Sequence, residues 1–491
     1  MNYEAIIAQK NAKIEKQSAE IKQLWHLVDQ LRKQVFGHKS ERYIPVENPS
    51  QLNLFGAQDQ TDTPEEADVA EKETITYERK KKKSNQKGRQ LLANCDHLPV
   101  EEIIIEPEHE AGDICIGEEI TDKLAKKPAK LYIKRIIRRK YKKAGTDVIV
   151  IAPVIEEPID RCEADISLLS DIVVSKYVDH IPEYRQQQIY KREGVMIPPS
   201  TMNGWVHQLC QYMKHMSDYI KQKILESGYI QQDESTIRVM DGKKQGTHTG
   251  YMWVMGSPEL KYVCFEYRKG RGQQTAVDNF KDYKGQLQTD GYAVYENIDK
   301  LYGDIAHFQC WAHGRRKFIE SKGNDKARSE YVLEQIQQLY AIEQQCREDK
   351  STHEERRIAR QAAKPILDNL KEWLNKESVK VTPKSPIGKA ISYLLARWKK
   401  FTKYTDYGKV EIDNDIIENA IRPLALGRKN YLFAGNHEAA TNISYYYTVF
   451  GTCKAQGVDP YAYMVWFLSK VAGTKTTRIG GLAPDAFLKL K

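Results

Sequence analysis

Three acidic residues stand where phosphoryl-transfer chemistry could use them. Asp233 lies in the strand-like segment YIQQDESTIRV, Asp290 closes the segment GQLQTD, and Glu418 lies in IDNDIIENAIRPLALGRKN. Carboxylate oxygens are hard ligands for Mg²⁺, and two ions about 3.5–4 Å apart can activate an attacking oxygen and stabilise a leaving oxygen. We therefore expect Asp233, Asp290 and Glu418 to be the catalytic metal ligands of a site for two Mg²⁺ ions, for which Mn²⁺ can substitute.

Each acid also has a simpler structural explanation. Asp290 precedes Gly291, and the pair is a common turn dipeptide. Glu418 follows Asp415 by three residues, which is the spacing of a capping box. Asp233 could be a solvated acid at the end of a strand. Taken singly these alternatives are favoured, and only the joint arrangement of the three acids favours a catalytic site.

The elements around the acids predict how they meet. The strand-like runs YIQQDESTIRV, GYMWVM and KYVCFEY resemble an antiparallel meander, and a helical stretch is expected around Gln273 to Tyr283. The strand GQLQTD, a short helix and a fifth strand in DIAHFQCWAH follow. The order β-β-β-α-β-α-β is that of the ribonuclease H-like fold, in which the strands of Asp233 and Asp290 are neighbours.

Glu418 is expected on the first turn of a helix that Asn414 or Asp415 caps. The apolar residues of that turn are expected to face a core; they are Ile416, Ile417, Ala420 and Ile421.

The charge of the chain favours a polyanionic partner. The formal net charge is +9 and the isoelectric point is about 8.8. We predict that DNA phosphates contact a set of basic residues in the linker, in the β-rich module and around the acids. They are Lys80, Lys81, Lys82, Lys83, Arg138, Arg139, Arg315, Arg316, Arg422, Arg428 and Lys429. For the run at 80–83, a solvated linker with no partner is an equally good reading.

The segments before the acids differ in character. Residues 1–44 carry apolar residues every seven positions, from Ile7 to Val35, which predicts a leucine-zipper-like coiled coil and a homodimer, although a single amphipathic helix is the alternative. An acidic and then basic linker is expected over 45–90, and a small β-rich module over 91–160. Residues 161–225 predict helices, with Ser200 or Thr201 capping the last one, which suits either a helix-turn-helix or a plain helical hairpin.

The cysteines and the apolar runs indicate a compartment. Eight cysteines are scattered singly with no C-x-x-C pair, which is typical of a reducing environment. The N-terminus lacks an apolar signal segment, and the run from Val148 to Ile155 is too short to cross a bilayer. We expect a cytoplasmic protein of the bacterial nucleoid with no membrane partner.

Seven landmarks in order resemble the transposases of the insertion sequence 66 type over nearly the whole chain. They are QVFGHKSERY (34–43), SKYVDHIPEYRQQQIYKREGV (175–195), QQDESTIRV (231–239), LQTDGYAVY (287–295), CWAHGRRKF (310–318), IDNDIIENAIRPLALGRKNYLFAG (412–435) and GVDPYAYMVWFL (457–468). The resemblance implies a leucine zipper, a zinc-finger module, a DDE catalytic domain over 226–440 with a helical insertion at 320–405, and a C-terminal element over 441–491. It assigns the three acids to Asp233, Asp290 and Glu418, and suggests accessory proteins from the same element.

One departure from the family concerns zinc. Where the family has two C-x-x-C knuckles, this chain reads GDICIGEE and KYKKAGTD, which leaves only Cys115. Four thiolate ligands cannot be assembled there, so we expect a degenerate module without zinc. His307, Cys310 and His313 form another cluster, for which a structural role at a strand–helix junction is favoured over metal binding.

Together these observations predict a multidomain α/β protein with a ribonuclease H-like core that acts as a DNA transposase, cutting and joining strands at element ends and target DNA. Two alternatives remain open at this stage. One is a DNA-binding relative without enzymatic activity. The other is a nuclease of the same fold that cuts without joining.

Overall fold

The computed structural model describes residue 95 and residues 98–107, 114–127, 130–144, 146–240, 246–272 and 278–490, all within one compact unit. The predicted coiled coil of residues 1–44, the linker of 45–90 and the lysines of 80–83 lie outside this part of the chain. In the described ranges, no helix combines the length and the apolar composition that a membrane span requires.

A small sheet comes first in the described chain. Its strands are β1 (Val100–Ile105), β2 (Ile114–Lys127), β3 (Lys130–Lys142) and β4 (Ile149–Ile151). Strand β3 is central, because β1 pairs with it in parallel and β2 and β4 pair with it antiparallel. The strand-like runs of the β-rich region are therefore confirmed as strands.

Three helices connect this sheet to the rest of the protein. They are α1 (Ile166–Tyr177), α2 (Glu183–Arg192) and α3 (Pro199–Glu226). The expected cap by Ser200 or Thr201 is wrong: the helix begins at Pro199, with Pro198 at the N-cap position and no side-chain cap bond. A proline suits a first helical position because its missing N–H has no partner there anyway. Trp205 and Leu209, which belong to the second helix of the predicted pair, are buried in the core.

The second sheet has five strands in the order β7-β6-β5-β8-β9. The strands are β5 (Tyr229–Met240), β6 (Thr247–Ser257), β7 (Tyr262–Arg268), β8 (Gly285–Thr289) and β9 (Ile305–Gln309). The first three form an antiparallel meander, while β8 and β9 run parallel to β5. The predicted meander and the predicted adjacency of β5 and β8 are confirmed. Of the helix expected around Gln273 to Tyr283, residues 273–277 lie outside the described residues, and a short 3₁₀ turn spans Asp278–Phe280.

Helices fill the long interval between β9 and Glu418. One short helix, α4 (Ile298–Leu301), lies before β9, and the helices of the interval itself are α5 (Trp311–Ser321), α6 (Lys326–Glu348), α7 (His353–Ala359), α8 (Ala363–Ser378), α9 (Pro386–Ala396) and α10 (Trp398–Thr402). Their apolar faces form a second hydrophobic core, which includes Phe308 of β9 and Trp311 of α5. The helical character predicted for 320–405 is confirmed, although the run expected as one helix at 356–374 is broken by a 3₁₀ turn at Arg360–Ala362.

The chain closes with four helices, α11 (Asp415–Tyr431), α12 (His437–Gln456), α13 (Pro460–Val471) and α14 (Pro484–Leu488). Helix α12 covers β7, the edge strand of the second sheet. The backbone N–H groups of Phe265 and Val263 donate to the hydroxyls of Thr448 and Thr452 at 2.9 and 3.2 Å. The helix thereby binds donors that an open sheet edge would leave exposed.

Candidate active site

The pairing of β5 with β8 places two of the predicted acids side by side. Gln232 of β5 is in register with Thr289 of β8, so the next residues along these parallel strands are Asp233 and Asp290. Asp290 follows the last residue of its strand, and its Oδ1 accepts a hydrogen bond from the backbone N–H of Tyr292 at 3.0 Å. The Asp290–Gly291 pair is thus a turn, and that turn holds the carboxylate at the end of the sheet.

Glu418 reaches the same place from α11. Asn414 occupies the N-cap position without a side-chain cap bond, and Glu418 lies on the first turn as predicted. The expected inward face is only partly confirmed. Ile417 is fully buried and Ala420 and Ile421 pack against the core, but Ile416 is 45% exposed.

The three acids line one open cavity of about 340 Å³. Its complete lining is Asp233, Glu234, Arg271, Asp290, His313, Arg316, Glu418 and Ile421. The chain thus brings together carboxylates that are distant in the sequence. Of the basic residues predicted to contact DNA, Arg316 lies in this cavity.

The carboxylates in the cavity repel one another. Burial, followed by the nearby Asp290 carboxylate, raises the pKa of Asp233 from 3.8 to about 8, and Glu234 and Glu418 act in the same direction. Burial and Asp290 also raise the pKa of Glu234, against the opposing effect of Arg271. A bound cation would relieve this repulsion, because opposite charge favours the ionised carboxylate.

Oxygen donors of the cavity suit a hard divalent cation by their chemistry. The Oε1 atom of Glu418 is buried without a hydrogen-bond partner, which leaves it available as a ligand. The side chains form an open rim and not a closed cage: among the described residues, no three histidine, cysteine or acidic side chains are grouped so that they could hold a metal ion as they stand.

A histidine and an arginine face Glu418. His313 Nδ1 lies 3.6 Å from Glu418 Oε1, and an Arg316 guanidinium nitrogen lies 3.4 Å from Oε2. Both come from α5, which begins directly after β9. Burial lowers the pKa of His313, although the Glu418 carboxylate opposes this effect. The sequence reasoning did not assign His313 to the site, although its position one turn after a sheet strand is a usable signal.

Arg271 and Glu234 are further residues that the sequence reasoning missed. Arg271 Nε donates to Glu234 Oε1 at 2.9 Å, and the guanidinium lies 3.9 Å from the centre of the Tyr292 ring. Strand alternation places Glu234 on the face opposite Asp233. The strand pattern by itself therefore does not predict that Glu234 borders the cavity. Glu234 does so through its ion pair with Arg271, a residue that is distant in the sequence.

A chain of hydrogen bonds supports Asp290 from behind. Lys400 donates to His307 Nδ1 at 3.0 Å, and His307 Nε2 lies 2.9 Å from the Thr289 hydroxyl. The Thr289 hydroxyl donates to the Asp290 carbonyl at 2.9 Å. Burial, followed by the Lys400 charge, lowers the pKa of His307 well below its ordinary value. A neutral ring accepts at Nδ1 and donates at Nε2, which fits this chain.

The remaining basic residues of the prediction are spread over the described surface. Arg138 pairs with Glu119 at 2.8 Å, and Arg139 pairs with Glu106 and Glu118 at 2.6 and 3.0 Å. Their charges are therefore compensated within the small sheet. Arg315 is exposed on α5.

On α11, Arg422 and Lys429 are exposed, while Arg428 donates to the Thr236 carbonyl at 2.7 Å.

Cys310 is buried at the β9–α5 junction, where its sulfur accepts from the Asn414 backbone N–H at 3.4 Å.

Comparison with known proteins places the chain among relatives. A family model described as "Transposase IS66 family" matches residues 161–442, and one described as "Transposase C of IS166 homeodomain" matches residues 23–103. The uncharacterized protein y4qI of Sinorhizobium fredii (strain NBRC 101917 / NGR234) is 31% identical over 413 residues, which cover 80% of this chain and 76% of that protein. Two further uncharacterized proteins of this strain, y4jD and y4hP, are 29% and 28% identical, covering 78% and 75% of this chain and 78% and 70% of their own lengths.

The first match spans more than half of the chain and contains all three acids of the cavity. The chain therefore belongs to the IS66 family of transposases.

Proposed function

We propose that the protein cuts DNA at the ends of its insertion sequence and joins those ends to target DNA, with Asp233, Asp290 and Glu418 as ligands of two Mg²⁺ ions. The observation that carries this proposal is the convergence of the three carboxylates on one cavity. The β7-β6-β5-β8-β9 order, with a meander followed by two parallel strands, supports a ribonuclease H-like core.

When bound, the two ions supply Lewis-acid stabilisation of the attacking and leaving oxygens. The chain's own residues position the reactants. Asp233 and Asp290 are fixed by adjacent strands, and Glu418 by a helix turn that His313 and Arg316 face. The acids are ligands and not nucleophiles, so no covalent bond forms between enzyme and DNA.

Each of the two steps exchanges one P–O bond for another, so neither needs an external energy source. Water attacks the phosphorus at the element end, the P–O3′ bond breaks, and a free 3′-hydroxyl and a 5′-phosphate result. That hydroxyl then attacks a target phosphodiester. One P–O bond forms as another breaks, and the displaced target strand leaves with its own 3′-hydroxyl.

Strand joining in vitro tests the proposal. Purified protein is mixed with labelled end DNA, a target plasmid and Mg²⁺, and joined products are resolved on a gel. We expect Asp233→Ala to abolish cleavage and joining while DNA binding persists. Asp218→Ala, which removes an exposed acid that pairs with Lys214 on α3, is the matched control and should retain activity.

Each outcome discriminates between functions. Undiminished cleavage by Asp233→Ala would overturn the assignment of the site. Cleavage without joined products in the unaltered protein indicates a nuclease of this fold, and binding without cleavage indicates a relative that only binds DNA. Dimerisation through residues 1–44 and a need for accessory proteins stay predictions, since that segment lies outside the described residues.

A further inference from the structure

A strained turn follows α11 at Leu432. The residue has φ 64° and ψ −45°, and the N–H of Phe433 donates to the carbonyl of Tyr431 at 2.7 Å. An N–H···O=C bond from residue i+2 to residue i with these angles defines a γ-turn of the positive-φ type, which is rare and costly for a residue with a side chain. Strain of this kind persists only where the surrounding structure imposes it.

Both ends of the turn are fixed by backbone hydrogen bonds. Before it, the N–H of Leu432 donates to the carbonyl of Arg428 at 3.2 Å, which closes the helix. After it, the N–H of Ala434 donates to the carbonyl of Arg238, and the N–H of Met240 donates to the carbonyl of Ala434, each at 2.8 Å. The chain must therefore pass from a helix end to the edge of β5 within three residues, and the turn is held rigid.

The turn directs two large apolar side chains towards solvent. Leu432 is 62% exposed and Phe433 is 42% exposed. Phe433 also borders a cavity of about 530 Å³, so open space lies beside its ring. Burial of these side chains does not explain the strain, because neither is buried. A partner that covers them would explain their exposure.

The surface that leads to the turn is suited to a polyanion. Asn419, Arg422, Leu426 and Lys429 are exposed at helical spacings of three and four residues, so they form one stripe along α11, and the strained turn follows the end of that helix. The stripe begins beside Glu418 and carries two cationic side chains. It therefore connects the candidate active site to the strained turn.

The length of this stripe sets a distance along DNA. Leu432 follows Glu418 by fourteen residues in the sequence. At 1.5 Å per residue of α-helix these residues lie about 21 Å apart. A duplex advances about 3.4 Å per base pair along each strand, so that separation corresponds to roughly six base pairs.

We propose that Leu432 and Phe433 insert between base pairs of the bound DNA about six base pairs from the bond that is cut, while Arg422 and Lys429 bind the intervening phosphates. Apolar side chains on a rigid support are used in this way to unstack a base step and bend a duplex. The inference rests on the proposed function, because it takes DNA as the substrate and Glu418 as a residue of the reactive centre.

Base unstacking can be measured by 2-aminopurine fluorescence in the complete protein–DNA complex. Duplexes of the terminal repeat carry the probe at single positions about three to nine base pairs from the cleaved bond, with Ca²⁺ in place of Mg²⁺ to prevent cleavage. We expect a severalfold rise in fluorescence at one position near six base pairs. Phe433→Ala and Leu432→Gly should abolish the rise, and Phe433→Tyr should restore it.

The variants separate the side-chain contact from the fold. Leu432→Gly keeps the positive φ without strain, so loss of signal in this variant reports the missing side chain and not a collapsed turn. Val379→Ala removes a side chain that is 84% exposed in the helical insertion, and it should leave the signal unchanged. Gel shifts confirm that each variant forms the complex.

The outcomes also distinguish this inference from the proposed function. A wild-type complex without any fluorescence rise, or a rise that persists in Phe433→Ala, would overturn the wedge and leave the proposed chemistry intact. Cleavage by Asp233→Ala would overturn the active site and with it the distance of six base pairs, while a rise that depends on Phe433 would still show insertion into the DNA. Failure of the wild-type protein to bind the terminal repeat would overturn both.

Discussion

Replacing Asp233 with Asn tests the repulsion in the candidate site directly. Asn has nearly the shape of Asp but carries no charge at any pH. In the folded chain, burial and the neighbouring Asp290 carboxylate raise the pKa of Asp233 to about 8. We therefore expect Asp233→Asn to inactivate the enzyme and, when no divalent cation is present, to stabilise it.

The size and the pH dependence follow from the pKa shift. The folded pKa lies above the unfolded value of 3.8, so the folded chain keeps a proton that the unfolded chain releases. Stability from this group is fully present below pH 3.8 and is lost as the pH rises towards 8. Between the unfolded pKa and pH 7, at about 1.4 kcal/mol per pH unit, the cost is on the order of 4 kcal/mol. Asp233→Asn removes that cost, which corresponds to a melting temperature roughly 4–5 °C above wild type.

Divalent cations should stabilise the wild type much more than Asp233→Asn. In the wild type, a cation pairs with ionised Asp233 and opposes the repulsion, so Mg²⁺ should raise the melting temperature, more strongly at pH 8 than at pH 5. An ion at one hundred times its dissociation constant contributes about 2.7 kcal/mol. Asp233→Asn has lost a ligand and should respond little to Mg²⁺ at any pH.

Thermal unfolding between pH 4 and pH 8, with EDTA or with Mg²⁺, measures all of these effects. Asp218→Asn neutralises an exposed acid that pairs with Lys214, and it should change neither the pH profile nor the response to Mg²⁺. The reasoning is refuted if Asp233→Asn is no more stable than the wild type in EDTA at pH 7. It is also refuted if Mg²⁺ stabilises both proteins equally.

Three further substitutions test the supporting structure. Glu343→Gln leaves the fully buried Arg360 without its charged partner and should destabilise the fold by about 3–5 kcal/mol. Arg360 lowers the pKa of Glu343 against the effect of burial, so the stability difference between variant and wild type should shrink as the pH falls below 4.5. Acid-unfolding curves measure this difference. Thr289→Val breaks the hydrogen-bond chain behind the Asp290 turn and leaves the buried Nε2–H donor of His307 unpaired, which costs about 1–3 kcal/mol. Cleavage rates should fall by about tenfold or more, while DNA binding is retained. Arg422→Ala should weaken binding to any DNA sequence and reduce the salt dependence of binding by about one phosphate contact. Binding titrations at several salt concentrations measure this change. Arg138→Ala, which removes a charge already paired with Glu119, is the control.

For each of these three predictions, one outcome would contradict the expected effect. A constant difference between Glu343→Gln and the wild type across acidic pH would exclude the ion pair as its cause. Wild-type cleavage by Thr289→Val would show that the turn of Asp290 needs no support from behind. Equal losses of DNA affinity in Arg422→Ala and Arg138→Ala would mean that the helix stripe is not a specific path for the duplex.

The positions of the acids were accessible from sequence because they depend on local patterns. Alternating apolar residues and turn signals define the strands, and their order makes β5 and β8 neighbours. Asp233 and Asp290 then meet at one end of the sheet, as the register shows. The position of Glu418 could be predicted because polar residues before an apolar run indicate the first turn of a helix.

Much of the rest of the site depends on contacts between elements that are distant in the sequence. Glu234 borders the cavity through Arg271, and His313 does so because α5 faces α11 across it. The strained turn at Leu432 was equally invisible, since nothing in YLFAG requires a positive φ at a leucine. That conformation arises only because the helix end and the edge of β5 both fix the chain.

The predicted helical insertion at 320–405, between Asp290 and Glu418, is more than a spacer. At its end, Arg397 donates to the carbonyl of Gly291 at 3.3 Å, and Lys400 begins the hydrogen-bond chain that reaches Asp290. At its middle, Arg356 bonds Glu411 at 2.7 Å, shortly before the helix of Glu418 begins.

The insertion therefore supports the chain next to both acids from one hydrophobic core. Because each support is a charged hydrogen bond with little exposure to solvent, a shift of this helical core would move the Asp290 turn and the start of α11 together. The geometry of the candidate site is thus set by the packing of these helices as well as by the sheet.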